Sequence, residues 1–194
     1  MRATLASLEP TLVRLGVRPT FLTWAQLVTS LLAGTAYAVG CVFLGGWLVF
    51  GCGVLDLLDG SLARRTERAT RRGAFLDSVI DRYAEFFTFV GLGVFFSRSW
   101  MLWVVAAGFL GSIMVSYARA RAEGLGVECR TGLMQRAERY LLLGGGSFLS
   151  TVFNHLSCRP GHLILIICLV LLAILTNLTA LSRVRAVVVA LRGQ

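Results

Sequence analysis

The chain contains four aspartates, Asp56, Asp59, Asp77 and Asp81, and all four fall within 26 residues. Asp56 and Asp59 are spaced i, i+3, and Asp77 and Asp81 i, i+4, so on helices each pair shares one face. If the Arg64–Arg72 segment between them reverses the chain, the two pairs converge. Carboxylates taken out of water cost several kcal/mol each even after relaxation, and like charges held together raise that cost. Two arrangements relieve it. Arg64, Arg68, Arg71, Arg72 or Arg82 can pair with the carboxylates as a structural network, or divalent cations can bind them. An oxygen-only donor set selects Mg²⁺, Mn²⁺ or Ca²⁺ over zinc or copper, and two ions about 4 Å apart suit an in-line displacement at phosphorus.

The residues around the carboxylates are small. Gly60 follows Asp59, Ala63 lies one turn later, and Gly73 opens the next apolar run. Glycine beside a membrane helix can serve packing, or it can let a flat base or a phosphate approach the backbone. Arg64 can then hold phosphate as a fork.

The elements that position these residues read as membrane helices. Of the 194 residues, 56% are hydrophobic, and the mean hydropathy of +0.75 is far from that of a soluble domain. Six apolar runs are candidates to cross a bilayer: Phe21–Val39, Cys41–Leu58, Ala74–Phe96, Trp100–Tyr117, Tyr140–Leu156 and Leu163–Leu181. Upstream, Leu5, Leu8, Leu12 and Leu15 at helical spacing, with Arg2, Arg14 and Arg18 around them, predict an N-terminal interfacial amphipathic helix. Arg14, Gly16 and Arg18 interrupt any cleavable signal there. The expected fold is all-α, a polytopic membrane protein with six transmembrane helices. It forms a single domain over 1–194, with a juxtamembrane helix in 1–20 and a six-helix core in 21–185.

The formal charge of +9 comes from 19 arginines and no lysine. In a soluble protein it would suggest nucleic acid; here it reads as topology, with no nucleic-acid partner. Sixteen arginines flank one side of the six runs and only Arg98 and Arg159 the other, with Arg82 inside a run. That bias puts both termini and the aspartates on the cytoplasmic face of a prokaryotic inner membrane, where basic charge also suits anionic lipid. The five scattered cysteines form no CxxC pair and suggest neither a disulfide framework nor a zinc site. His155 and His162 fall on the opposite side, as loop or interfacial residues.

Asp56-Leu57-Leu58-Asp59-Gly60-Ser61-Leu62-Ala63-Arg64, then eight residues, Gly73, three residues, Asp77, three residues and Asp81, resembles the signature of the CDP-alcohol phosphatidyltransferases at all eight fixed positions. The family's six-helix architecture agrees with the six apolar runs. The resemblance implies that Asp56, Asp59 and Asp77 are metal ligands, and that Asp81 is a ligand and the general base for the acceptor hydroxyl. It also implies two Mg²⁺ or Mn²⁺ ions, a homodimer, and a CDP-lipid site lined by Gly60, Ala63, Arg64, Thr70 and Gly73. The family's Pro-Asn-x-x-Thr turn reads Pro19-Thr20-Phe21-Leu22-Thr23 here. The asparagine is replaced, and Thr23 is the member left for the CDP-lipid. The implied reaction moves a lipid phosphate group from CDP-diacylglycerol or a CDP-archaeol-type lipid onto an alcohol, releasing CMP.

The acceptor is read from arginines near the cytoplasmic ends of later runs. Arg119, Arg136, Arg139 and Arg183 fit a phosphate-bearing acceptor, because guanidinium grips phosphate with two parallel hydrogen bonds; as anchors they would serve topology alone. The Tyr117–Gly124 run and the Arg136-Ala137-Glu138-Arg139 turn resemble the phosphatidylinositol phosphate and archaetidylinositol phosphate synthase branch. That likeness implies a phosphorylated polyol, inositol 1-phosphate, with glycerol 3-phosphate as the alternative. Glu85 continues the Asp77, Asp81 stripe one turn deeper and must find a partner: either it pairs with an arginine such as Arg82, or it supports the acceptor contact. Two other classes compete. A divalent-cation transporter predicts carboxylates near the midplane of several spans and an internal repeat, neither visible here. A silent scaffold that keeps the carboxylates as salt bridges leaves the complete motif spacing without a reason.

Overall fold

The computed structural model describes residues 19–65, 70–129, 132–157 and 162–192. The described residues contain six α-helices and no strand: α1 Pro19–Ala38, α2 Val42–Arg65, α3 Arg71–Phe95, α4 Met101–Gly124, α5 Arg136–Ser157 and α6 Leu163–Arg192. The amphipathic helix expected in the first twenty residues falls almost wholly on 1–18, outside the described residues.

Local sequence sets the helix ends. Proline suits the first helical position because its missing N–H has no intrahelical partner there, and α1 starts on Pro19. Gly40, at φ 84°, turns the chain out of α1, and the Cys41 N–H donates back to the Ala36 carbonyl at 2.8 Å. Thr70 caps α3, its hydroxyl accepting from the Gly73 N–H at 3.0 Å. Several helices outrun their apolar stretches. The expected run to Tyr117 continues to Gly124, and that to Leu181 continues to Arg192, because alanine and arginine extend a helix readily once it is nucleated.

Helix contacts close into a ring. α1 packs on α2 and α3, α2 on α5, α5 on α6, α6 on α4, and α4 on α3. Tyr37, fully buried, reaches from α1 to Ser147 of α5, with its hydroxyl 2.7 Å from the serine oxygen. The closest approach lies between α1 and α3. A Cβ on Gly91 would meet the backbone of Gly34, and a Cβ on Gly34 would meet the Phe87 carbonyl. Two glycines therefore let these helices touch backbone to backbone, the packing that small residues permit between apolar helices.

The interior around Val49, Phe89, Leu92, Met101, Leu165 and Leu169 is apolar. So is much of the outside: Trp24, Trp47, Phe75, Trp103 and Leu178 are each at least half exposed. A surface this apolar lies beyond what single scattered residues explain and fits hydrocarbon surroundings. Among the described residues three helices, α2, α4 and α6, are long and apolar enough to cross a membrane. α1 is diluted by Thr23, Gln26, Thr29, Ser30 and Thr35, while α3 and α5 carry charged first turns.

Candidate active site

The start of α1, the end of α2 and the starts of α3 and α5 meet at one end of the ring. There Asp56, Asp59 and Asp77 each offer a carboxylate oxygen within 4.8 Å of the other two. The i, i+3 pair and Asp77 converge; Asp81, expected as a fourth ligand, is not one of the three. Asp59 is buried and accepts from the Thr23 hydroxyl of α1 at 3.4 Å. Asp77 Oδ1 is buried with no hydrogen-bond partner among the described residues. An oxygen-only donor set with an unmet buried acceptor fits a hard divalent cation.

Asp81 stands outside that trio, held by other groups. It is 4% exposed. Gln26 Nε2 donates to its Oδ1 at 3.2 Å and also to the Tyr140 hydroxyl at 3.3 Å. Arg82 Nη1 lies 3.6 Å from its Oδ2. Arg136 joins Asp81 to the trio: its Nη1 contacts Asp81 Oδ2 and lies 2.6 Å from Asp56 Oδ1. One guanidinium thus offsets two carboxylates, which lowers the mutual repulsion of the cluster. Gln26 and Tyr140 had no signal in the sequence, since neither is charged nor part of a spaced motif.

Behind Arg136 lies a second acidic group. Glu85 Oε1 is 2.7 Å from Arg139 Nη2 and 3.9 Å from Arg136 Nε. The expectation that Glu85 must find a partner is met by Arg139. Arg139 also donates from Nη1 to the Ser112 carbonyl of α4 at 3.0 Å. A cavity of about 20 Å³, enough for one water, is lined there by Glu85, Thr88, Ser112, Arg139 and Tyr140 among others.

The four arginines expected at an acceptor phosphate fall into two groups. Arg136 and Arg139 sit on α5 beside the carboxylates. Arg183 is buried on α6 and donates from Nη1 to the Val115 carbonyl at 2.6 Å. Arg119 is half exposed on α4 and pairs with Glu123 at 2.8 Å. Of the residues expected at the nucleotide, Thr23 bonds to Asp59, and Thr70 and Gly73 form the cap of α3. Gly60, Ala63 and Arg64 fall on the last turns of α2, where only the backbone is described.

Comparison with known proteins gives the arrangement its context. The sequence matches the CDP-alcohol phosphatidyltransferase family over residues 16–192. It is 34% identical over 150 residues to the archaetidylinositol phosphate synthase of Methanothermobacter thermautotrophicus, covering 72% of this chain and 71% of that one. The fold is similar to crystal structures of the phosphatidylinositol phosphate synthase of Mycobacterium tuberculosis, at 26% identity. The complex with manganese and citrate superposes with a TM-score of 0.80 over 94% of this chain and 88% of that one. The complex with CDP-DAG superposes with a TM-score of 0.78 over 96% and 94%.

Proposed function

The chain belongs to the CDP-alcohol phosphatidyltransferase family, and we propose that it transfers the lipid phosphate group of a CDP-linked lipid to a hydroxyl of inositol 1-phosphate, releasing CMP. The observation that carries this reading is Arg136, which ties the carboxylate trio to Asp81 through Asp56. The likeness to inositol phosphate synthases supports the acceptor.

In this reading Asp56, Asp59 and Asp77, with Asp81 beside them, would hold two Mg²⁺ or Mn²⁺ ions. The bound cations would supply the positive charge that stabilises the leaving CMP oxygen. A bond forms between the acceptor oxygen and the lipid-bearing phosphorus, and the bond from that phosphorus to the CMP oxygen breaks. Asp81 receives the proton of the attacking hydroxyl. Gln26 and Tyr140 fix the carboxylate in one orientation, so that little reorganisation is needed at the moment of reaction. Thr23, Gly60, Ala63, Arg64, Thr70 and Gly73 line the CDP-lipid site, the small residues letting the nucleotide come close to backbone. Arg136 and Arg139 beside the carboxylates, with Arg119 and Arg183 on α4 and α6, would supply the guanidinium groups for the acceptor phosphate, where the planar fork is the better donor.

All six helices cross the cell membrane as one domain, with an amphipathic helix ahead of α1 and the site on the cytoplasmic face. The sixteen-to-two arginine distribution and the apolar exterior support this. The family likeness supports a homodimer. The test is an acceptor panel with CDP-diacylglycerol or CDP-archaeol and Mg²⁺ or Mn²⁺. Inositol 1-phosphate should be consumed well ahead of glycerol 3-phosphate, free inositol and serine; a preference for glycerol 3-phosphate would replace the acceptor.

A further inference from the structure

Glu85 is the deepest carboxylate of α3, one turn beyond Asp81 and 5% exposed. It has more acceptor capacity than its partner uses. Arg139 takes Oε1, while Oε2 is buried with no partner among the described residues. The cavity beside it holds two further unmet groups, Ser112 Oγ and Arg139 Nε. Arg136 stretches between this pocket and the carboxylate cluster. Its Nη1 is engaged by Asp56 and Asp81, and its Nε lies 3.9 Å from Glu85 Oε1. The guanidinium thus lies between two anionic groups, held by Asp56 and Asp81 on one side and facing Glu85 on the other.

A divalent cation and the Arg136 guanidinium draw on the same two carboxylates and repel each other. When a cation takes Asp56 and Asp81, Arg136 needs another anionic seat, and Glu85 is the one within reach. We propose that Glu85 is a positioning residue that draws Arg136 off Asp56 and Asp81, thereby setting both the affinity of the cluster for its divalent cation and the readiness of Arg136 to meet the acceptor phosphate. The proposal rests on the metal and acceptor reading above. It makes the two ligands cooperative: phosphate held by Arg136 frees carboxylate oxygens for the cation, and by linkage the cation favours phosphate equally. A Glu85 that only paired with Arg139 would have no such effect on the cluster.

The test measures Mn²⁺ binding to the full-length protein in detergent, by the electron paramagnetic resonance signal of the free ion. It needs no turnover. Four proteins are compared: wild type, Glu85→Gln, Arg136→Gln and the double variant. Glu85→Gln should weaken Mn²⁺ binding by about tenfold, within the usual range of coupling between sites. Arg136→Gln should tighten it. In the Arg136→Gln background, Glu85→Gln should change affinity by less than about threefold, because the coupled partner is gone. An equal loss in both backgrounds overturns the proposal. So does an Arg136→Gln protein that binds Mn²⁺ no more tightly than wild type, a comparison that stands even if Glu85→Gln fails to fold. Wild-type protein that binds no Mn²⁺ overturns the metal reading itself, a distinct result.

Discussion

Arg139→Met tests how the charged end of the ring is held together. Arg139 and Glu85 are both under a tenth exposed and 2.7 Å apart, and Arg139 also satisfies the Ser112 carbonyl. Removing one partner of a buried ion pair costs about 3–5 kcal/mol. Arg136, at 3.9 Å from the same Glu85 oxygen, offsets part of this and puts the pair near the low end, about 3 kcal/mol. The stranded Ser112 carbonyl adds about 1 kcal/mol. A loss of about 4 kcal/mol lowers the unfolding midpoint of a chain this size by roughly 8–16 °C, measurable by thermal unfolding in detergent. Glu85→Met in the Arg139→Met background removes the orphaned charge, and an apolar pair of similar volume is often neutral against an ion pair. The double variant should therefore recover most of the loss. A single variant that unfolds within about 2 °C of wild type, set against the scale of 2–4 °C per kcal/mol, would show that the pair is not a buried one. A double variant less stable than the single would show the same.

The remaining predictions concern the site and its supports. Asp81→Asn should abolish transfer while the protein stays folded and binds CDP-lipid; turnover above about a tenth of wild type would remove Asp81 as an important base. Gln26→Met keeps the side-chain volume but deletes both bonds to Asp81 and Tyr140; kcat should fall by about ten- to a hundredfold with the KM for CDP-lipid little changed, and a change in KM alone would contradict a role in orienting Asp81. Arg119→Ala should raise the KM for the phosphorylated acceptor more than that for CDP-lipid, and an unchanged acceptor KM would reduce Arg119 to an anchor. Gly91→Val drives a side chain into the Gly34 backbone and should cost about 3 kcal/mol; wild-type stability would mean that α1 and α3 separate without penalty.

That Asp56 and Asp59 share a face was legible because helical periodicity turns an i, i+3 pair to one side, and the aspartate spacing suggested that the pairs converge. That Asp77 alone of the second pair joins them, with Asp81 held by Gln26 and Arg136, was not legible. The family followed from the same spacing. Gln26 and Tyr140 were not legible: each is a neutral residue outside any spaced motif, and its role exists only because α1 and α5 both come up to the first half of α3. The split of the arginines was hidden for a related reason. Arg136 and Arg183 look equivalent as charges at helix ends, but α5 brings one to the carboxylates while α6 ties the other to the Val115 carbonyl. Thr70 before Arg71-Arg72-Gly73 is a helix-start pattern, and its cap on α3 was legible on that ground alone.

The closed ring has a consequence for biosynthesis. α1 packs on α2 and on α3, the two helices that follow it in the chain, so these contacts join segments close in sequence. α5 cannot take its place against α2 until much later. Until α5 is made, Glu85 therefore lacks Arg136 and Arg139, the arginines it meets in the finished fold. The arrival of α5 is then a charge-neutralising event, and the last steps of assembly also arm the site.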